Sequence, residues 1–362
     1  MGLRTRTLSW ITVLSVVLLL TVTASAGIGP VSIPPVTVLE VLLNRIAVPT
    51  SLSLTPISLP PGPLSIPVPA VGFTRLFDFE VAQTYATIVW TVRMPRIALG
   101  ALVGFALSVA GGVMQGFFRN PMADPSIIGV SSGAAVGAVA TIVLPIPIGL
   151  RWAAFVTGLA SAFGVYLIAT EDGRTPVATL LLAGVAVQTF LGAVISFLLT
   201  MSGQSLEQAI YWLMGHLHNA TWEEVGFALL VIPALFVVLA WYSRDLNVLL
   251  LGEEDAATLG IEVERTKRVL LGVSSLITAA AVAVAGVIGF VGLIVPHMMR
   301  LLVGPDHRIL LPTSALAGAA FLVATDTIAR AGAGEIPVGI VTAALGAPFF
   351  LFLLRRREVH SL

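Results

Sequence analysis

The chain has 362 residues, is 57% hydrophobic and 10% charged, and has a mean hydropathy of +0.99, against about 25% charged for an ordinary soluble domain. That balance excludes a soluble globular protein and leaves an all-α polytopic membrane protein. The zero net charge exerts no general pull toward nucleic acid or acidic lipid, and the absence of cysteine excludes disulfides, thiolate metal sites, iron–sulfur clusters and a lipid-modified cysteine.

The first apolar run, residues 8–27, follows Arg4 and Arg6. Ala24-Ser25-Ala26 has the form of a leader-cleavage site. The run is longer than a usual leader core, so residues 1–28 are read as a retained, signal-anchor-like first span. An external segment, 29–92, comes next. Within it, residues 46–74 carry no charge, and 49–69 hold seven prolines in 21 residues. Each proline removes a backbone donor and clashes with the preceding turn, so this stretch is expected to be an extended, polyproline-like loop that cannot span lipid.

Spans two to six fall in residues 93–242, at 96–118, 126–144, 151–170, 176–201 and 222–242. Residues 243–268 interrupt the apolar pattern, with 10 of the chain's 38 charges. Inside them Gly252 and Gly260 bracket a short helix with Glu253, Glu254 and Asp255 in its first turn, where the helix dipole favours acids. Such a helix, exposed beneath a membrane domain, is a handle for a soluble partner. Residues 269–362 hold the remaining spans and a basic tail. Run 269–303 is too long for one crossing of about 20 residues, and Gly286, Gly289, Gly292 and Pro296 offer a break.

Charge asymmetry decides the count. If run 269–303 crosses twice there are about ten spans. Arg4, Arg6, Arg119, Arg174, Arg244, Arg265, Lys267, Arg268, Arg300, Arg308 and Arg355 to Arg357, 13 of the 19 basic residues, then share one side. A single crossing would split them almost evenly. Both termini and residues 243–268 are therefore expected in the cytoplasm. Arg265 to Arg268 then read as a topology anchor.

No catalytic constellation and no metal-ligating cluster emerges. The five histidines are His216, His218, His297, His307 and His360; His216 and His218 are two apart, which does not place them on one helix face. Asn219-Ala220-Thr221 fits a glycosylation acceptor in an external loop. Asp326 is the one mid-span carboxylate candidate for ion coupling, and its spacing to Arg330 puts both on one helix face. Lys267, the single lysine, lies in Arg265-Thr266-Lys267-Arg268, which lacks the glycine-rich Gly-Lys-Ser/Thr turn of a phosphate-binding loop. The chain thus has no nucleotide site of that type, and energy for pumping must come from another subunit.

Taken in order, RMPR, GGVMQGFFRNPMADPSIIGVSSGAAVG, YWLMG, LLLGEEDAATLGI, GFVGLIVPHMMRLLVGPDHRILLP and DTIARAGAGEIPVGIVTAALGAPFFLFLL resemble the FecCD family of ABC-importer permeases for cobalamin, haem and ferric siderophores. The resemblance covers roughly residues 93–354. It implies an ABC importer type II permease fold with ten helices per subunit. It also implies a second permease copy as partner (a homodimer), two cytoplasmic ATPase subunits that carry ATP and magnesium, and an external binding protein. By the same resemblance Gly252, Glu253, Glu254, Leu259 and Gly260 form the ATPase-coupling loop. Arg93, Arg330 and, more weakly, Arg96 are expected as exposed arginines that dock the binding protein. Asn120, Pro121 and Met122 match a cytoplasmic gate; a second gate falls near residues 175–179 without a residue-by-residue match. The Pro-rich loop is longer than the family pattern. The competing readings are an ion-coupled carrier or channel that works alone, and a scaffold that docks a ligand-binding protein without transport.

Overall fold

The structure is a computed structural model and describes residues 2–58, 65–332 and 334–355. Among these, seven helices are long and apolar enough to cross a membrane. They are α1 (Leu3–Gly27), the continuous run 83–117, α6 (Leu150–Ala169), α7 (Val177–Thr200), α9 (Trp222–Trp241), α12 (Val263–Ala285) and α14 (His307–Ala329). Three apolar helices are shorter: α5 (Val130–Val143), α13 (Val291–Val303) and α15 (Val338–Arg355). Run 83–117 comprises α3 (Gln83–Thr87), a π-helical turn (Ile88–Arg93) and α4 (Met94–Phe117). Short helices α2 (Pro35–Leu43), α8 (Leu206–Leu213), α10 (Ser243–Leu249) and α11 (Glu253–Thr258) lie between them.

The long run 269–303 is broken where the glycines stand. Helix α12 ends at Gly286 with φ +69° and α13 starts after Phe290 with φ +68°. Of the five residues between, Gly286 and Ile288 are buried, Val287 and Phe290 half-buried and only Gly289 exposed, partial shielding of the kind that unpaired backbone within an apolar layer demands.

Helix α4 is the axis of the bundle and packs against α14, α12, α13 and α9. The residues lining these contacts are small because, in lipid, helices associate through close van der Waals contact rather than by expelling water. At Gly104 an added Cβ would strike the backbone of Gly318, and at Gly111 that of Gly292. Helices α5, α6 and α7 form a second group, joined to the first through α12.

The Pro-rich segment departs from expectation. It is an antiparallel hairpin of β1 (Ala47–Ser58) and β2 (Ser65–Arg75), with Pro56 opposite Pro67. A two-stranded ribbon has a free edge on each strand, and a proline whose missing N–H faces that edge costs no ladder bond. The hairpin is closed at its base. Leu76 N–H donates to the Ile46 carbonyl at 3.0 Å, and Asn44 exchanges two hydrogen bonds of 2.8 and 2.9 Å with the backbone of Phe79.

Candidate functional site: a coupling helix and its contacts

Helix α11 is bounded as the glycine spacing predicts. Gly252 has φ +127° and Gly260 φ +86°, conformations that side chains rarely adopt. At the C-terminus Ile261 N–H reaches the Ala256 carbonyl and Gly260 N–H the Ala257 carbonyl, both at 3.0 Å. This paired pattern ends a helix on a left-handed glycine. Ala256 is fully buried beneath the helix, while Leu259 is 63% exposed and Leu251 is exposed beside it. Two leucines held outward at either end of the six-residue helix, with the exposed Glu254 and Asp255 on its first turn, make a compact surface that joins apolar and acidic groups.

The inner face of α11 is fixed by Lys267, which is 3% exposed. Its ammonium donates to the Thr175 carbonyl at 2.6 Å and meets Glu253 at 3.1 Å and Glu264 at 2.9 Å. Three donors thus find three acceptors, which is what a buried ammonium requires. Read from sequence as part of a topology anchor, Lys267 is instead an interior hub. The available signal was the i,i+3 spacing of Glu264 and Lys267.

The turn that Lys267 touches joins α6 to α7. Glu171 and Arg174 exchange backbone hydrogen bonds of 3.0 and 2.9 Å around Asp172 (φ +50°) and Gly173 (φ +76°), the two left-handed residues of a tight reverse turn. Thr175 N–H donates to Glu264 at 3.2 Å, and the Thr175 and Thr170 hydroxyls lie 2.9 Å apart.

The Asn120-Pro121-Met122 turn leaves α4 at its C-terminal end. Asn120 N–H donates to the Gln115 carbonyl at 3.0 Å, and the Asn120 side chain accepts from Met122 N–H at 2.9 Å. Met122 is exposed. Asp124 then accepts from Ser126 N–H at 2.9 Å and starts the next short turn. Burial pushes the Asp124 carboxyl up, against the opposing effect of its bonds to Ser126. A further clamp, between α10 and the start of α14, was not foreseen. Asp306 accepts from Asn247 at 2.7 Å, from Arg308 N–H at 3.0 Å and from the Arg308 guanidinium. The Arg308 hydrogen bond, ahead of the others, pulls the Asp306 carboxyl down to about 2.

On the opposite face the arginines differ from expectation. Arg93 is 5% and Arg330 7% exposed, so neither is the free surface cation foreseen for docking. Arg93 donates to the carbonyls of Ala26 (2.6 Å) and Val31 (2.5 Å). Arg330 donates to those of Ser25 (2.6 Å) and Ile28 (3.2 Å) and to the Ser25 hydroxyl. The physical reason is that the last carbonyls of α1 have no helical partners, and the dipole there attracts cations. Arg96 is also engaged: its guanidinium pairs with Asp326 at 2.9 Å and with Glu335 at 3.1 Å. Asp326 is thus bonded chiefly to Arg96, with Arg330 second at 3.5 Å.

His216 and His218, separated in sequence terms, meet in space. Their rings lie 4.3 Å apart, with the Tyr211 ring 4.7 Å from His218. The turn through Gly215 (φ +70°) and Asn219 (φ +60°) folds them together. They border a cavity of about 840 Å³ that Arg151, Gln208 and Glu224 also line.

The bundle, the broken helix α12–α13 and the interhelical loop presenting α11 define a multi-pass membrane transport protein of the permease class. The chain matches the FecCD transport family over residues 17–356 and belongs to it. It is 56% identical to the cobalamin import system permease protein BtuC of Halobacterium salinarum, over 99% of this chain and 98% of that one. It is 41% identical to the hemin transport system permease protein HmuU of Yersinia pestis, over 81% and 90% of the two chains. A metal-chelate type ABC transporter solved in an inward-facing conformation superposes with a TM-score of 0.76 at 29% identity, covering 96% of this chain and 98% of the other.

Proposed function

We propose that this permease carries a bulky metal chelate into the cell, cobalamin first and haem or a ferric siderophore after it, by alternating access powered by a separate ATPase. The observation that carries the reading is α11, a glycine-bounded helix with outward Leu251 and Leu259 and an acidic first turn. It belongs to a chain whose only lysine lies outside any phosphate-binding loop. Two such permeases, two ATPases holding ATP and magnesium, and an external binding protein make the working complex. The chain needs no cofactor of its own. ATP closes the ATPase pair, the coupling helices move, and the two permeases rock so that the turn at Asn120, Pro121 and Met122 opens toward the cytoplasm. Both termini then face the cytoplasm, in accord with the distribution of arginine. The choice of cobalamin rests on the name of the 56% identical relative.

Against the ion-coupled alternative stands the pairing of its one carboxylate candidate, Asp326, with Arg96 and Arg330. Proteoliposomes containing the permease, its ATPase and its binding protein test the proposal. ATP-dependent accumulation of radiolabelled cobalamin is expected, and accumulation driven by an ion gradient without ATP overturns it. Replacing Glu253 and Glu254 by Arg is expected to abolish this uptake while the detergent-purified permease keeps its elution profile. Undiminished uptake in that variant removes α11 from coupling.

A further inference from the structure

We propose that Lys267 is a positioning residue that makes the coupling helix α11 and the α6–α7 turn move as one piece. The inference rests on the reading of α11 as the ATPase contact and adds a route from it to a cytoplasmic opening.

The geometry is specific. Glu253 opens α11, and Thr175 stands two residues before α7. These are joined through a single buried ammonium, at 3.1 Å to the first and 2.6 Å to the second. Glu264, one turn before Lys267 on α12, bonds both the ammonium and the Thr175 N–H, at 2.9 and 3.2 Å. Thr175 is therefore gripped at its carbonyl and its N–H by one lysine–glutamate pair. The Thr175 hydroxyl, in turn, bonds Thr170 at the end of α6. Phe117, Arg119 and Leu249 border a small cavity together with Glu253 and Lys267, so the end of α4 adjoins the same hub.

An ammonium buried this way resists separation from its partners, because leaving either side strips one N–H of its acceptor at a 3% exposed group, with Glu264 left as its counter-ion. If α11 is pushed, the cheapest response keeps all three contacts and carries Thr175 along. Helix α7 begins two residues later, so its cytoplasmic end follows. A hydrophobic contact in the same place would let the two elements slide past each other.

A static brace would have the same distances, so the test must read motion. The chain has no cysteine, so Asp172→Cys in the turn and Thr258→Cys on α11 can be spin-labelled as its two sites on the purified permease before the complex is assembled. With Lys267 present, ATP binding is expected to leave the label-to-label distance unchanged while uptake proceeds. In Lys267→Met the distance is expected to change and broaden on ATP binding. Ligand transported per ATP hydrolysed is expected to fall about tenfold, within the range that single positions in coupling networks command. Unchanged distances and an unchanged ligand-to-ATP ratio in Lys267→Met overturn the proposal. If that variant does not assemble with the ATPase, Glu253→Gln decides. It weakens one contact at a half-exposed acid, and a wild-type ratio there with labels still co-moving is equally fatal. A wild-type complex that hydrolyses ATP without uptake overturns the importer reading itself, and the role of Lys267 with it.

Discussion

His216 and His218 carry a clear prediction for acid. Burial, ahead of repulsion from His218 and Arg96, pushes the His216 imidazole from its ordinary 6.5 down to about 4. His218 is lowered as well, again by burial first. The folded protein therefore binds these protons more weakly than the unfolded chain. Their contribution is fully present above pH 6.5 and drains away as pH falls toward 4, by about 3 kcal/mol at the limit for His216. The thermal midpoint of the purified permease should fall across that window, and His216→Gln should flatten the dependence. An identical slope in the variant would show that other groups set it. The two α1-capping arginines make a second prediction. Arg330→Met leaves carbonyls of Ser25 and Ile28 without donors and weakens the hold on Asp326. The expected cost is about 3 kcal/mol, read as a lowered midpoint. A midpoint equal to wild type would mean that water replaces the guanidinium at no cost.

The hairpin β1–β2 is the most self-contained of the elements. Its strands pair with each other, and Asn44 with Phe79 closes the base. Replacing residues 47–75 with a short Gly/Ser linker should leave the midpoint within about 2 °C of wild type, since a lone two-stranded ribbon contributes little to a separate core. A collapse of the fold would show that the hairpin braces the bundle. The helical elements were legible from apolar run lengths and from arginine asymmetry, including the break at Gly286. The hairpin was not. Prolines forbid a helix, but whether an extended segment pairs depends on partners 7 to 28 residues away, from Ser58 opposite Ser65 to Ala47 opposite Arg75. The positions of α11 and its bounding glycines were readable too, because a left-handed glycine and first-turn acids are local signals. Lys267 and Arg93 were misread for one common reason. Sequence shows a cation at an interface, but whether it points out or in is decided by unpaired carbonyls and carboxylates on distant elements.

At the scale of the whole molecule, most of α7 lies at the surface of the single chain, with Leu182, Val185, Phe190 and Phe197 outward. That surface is available for lipid and for the second permease copy of the proposed complex. Native mass measurement of the assembly purified with its ATPase should give two permeases for two ATPases, and a one-to-one complex would exclude rocking between permease copies. The axis helix α4 tolerates no such adjustment. Gly104 and Gly111 each lie where a side chain would meet backbone, so Gly111→Leu should yield no folded permease. Recovery of a normal, ligand-transporting protein would mean that the helices can separate there.

The capping of α1 by Arg330 has a consequence for how the protein is made. The donor lies 305 residues after the Ser25 carbonyl it reaches. At a synthesis rate of ~5–20 residues per second, the acceptor waits about 15–60 s for its partner to leave the ribosome. During that interval Arg93, only 67 residues after Ala26, can already hold the Ala26 carbonyl, while the Ser25 and Ile28 carbonyls wait for Arg330. Completion of the chain supplies the Arg330 donors to Ser25 and Ile28 and the Thr327 hydroxyl to Ser25. A chain that stops before Arg330 therefore leaves the Ser25 and Ile28 carbonyls without that donor, with Arg93 alone holding the end of the first helix.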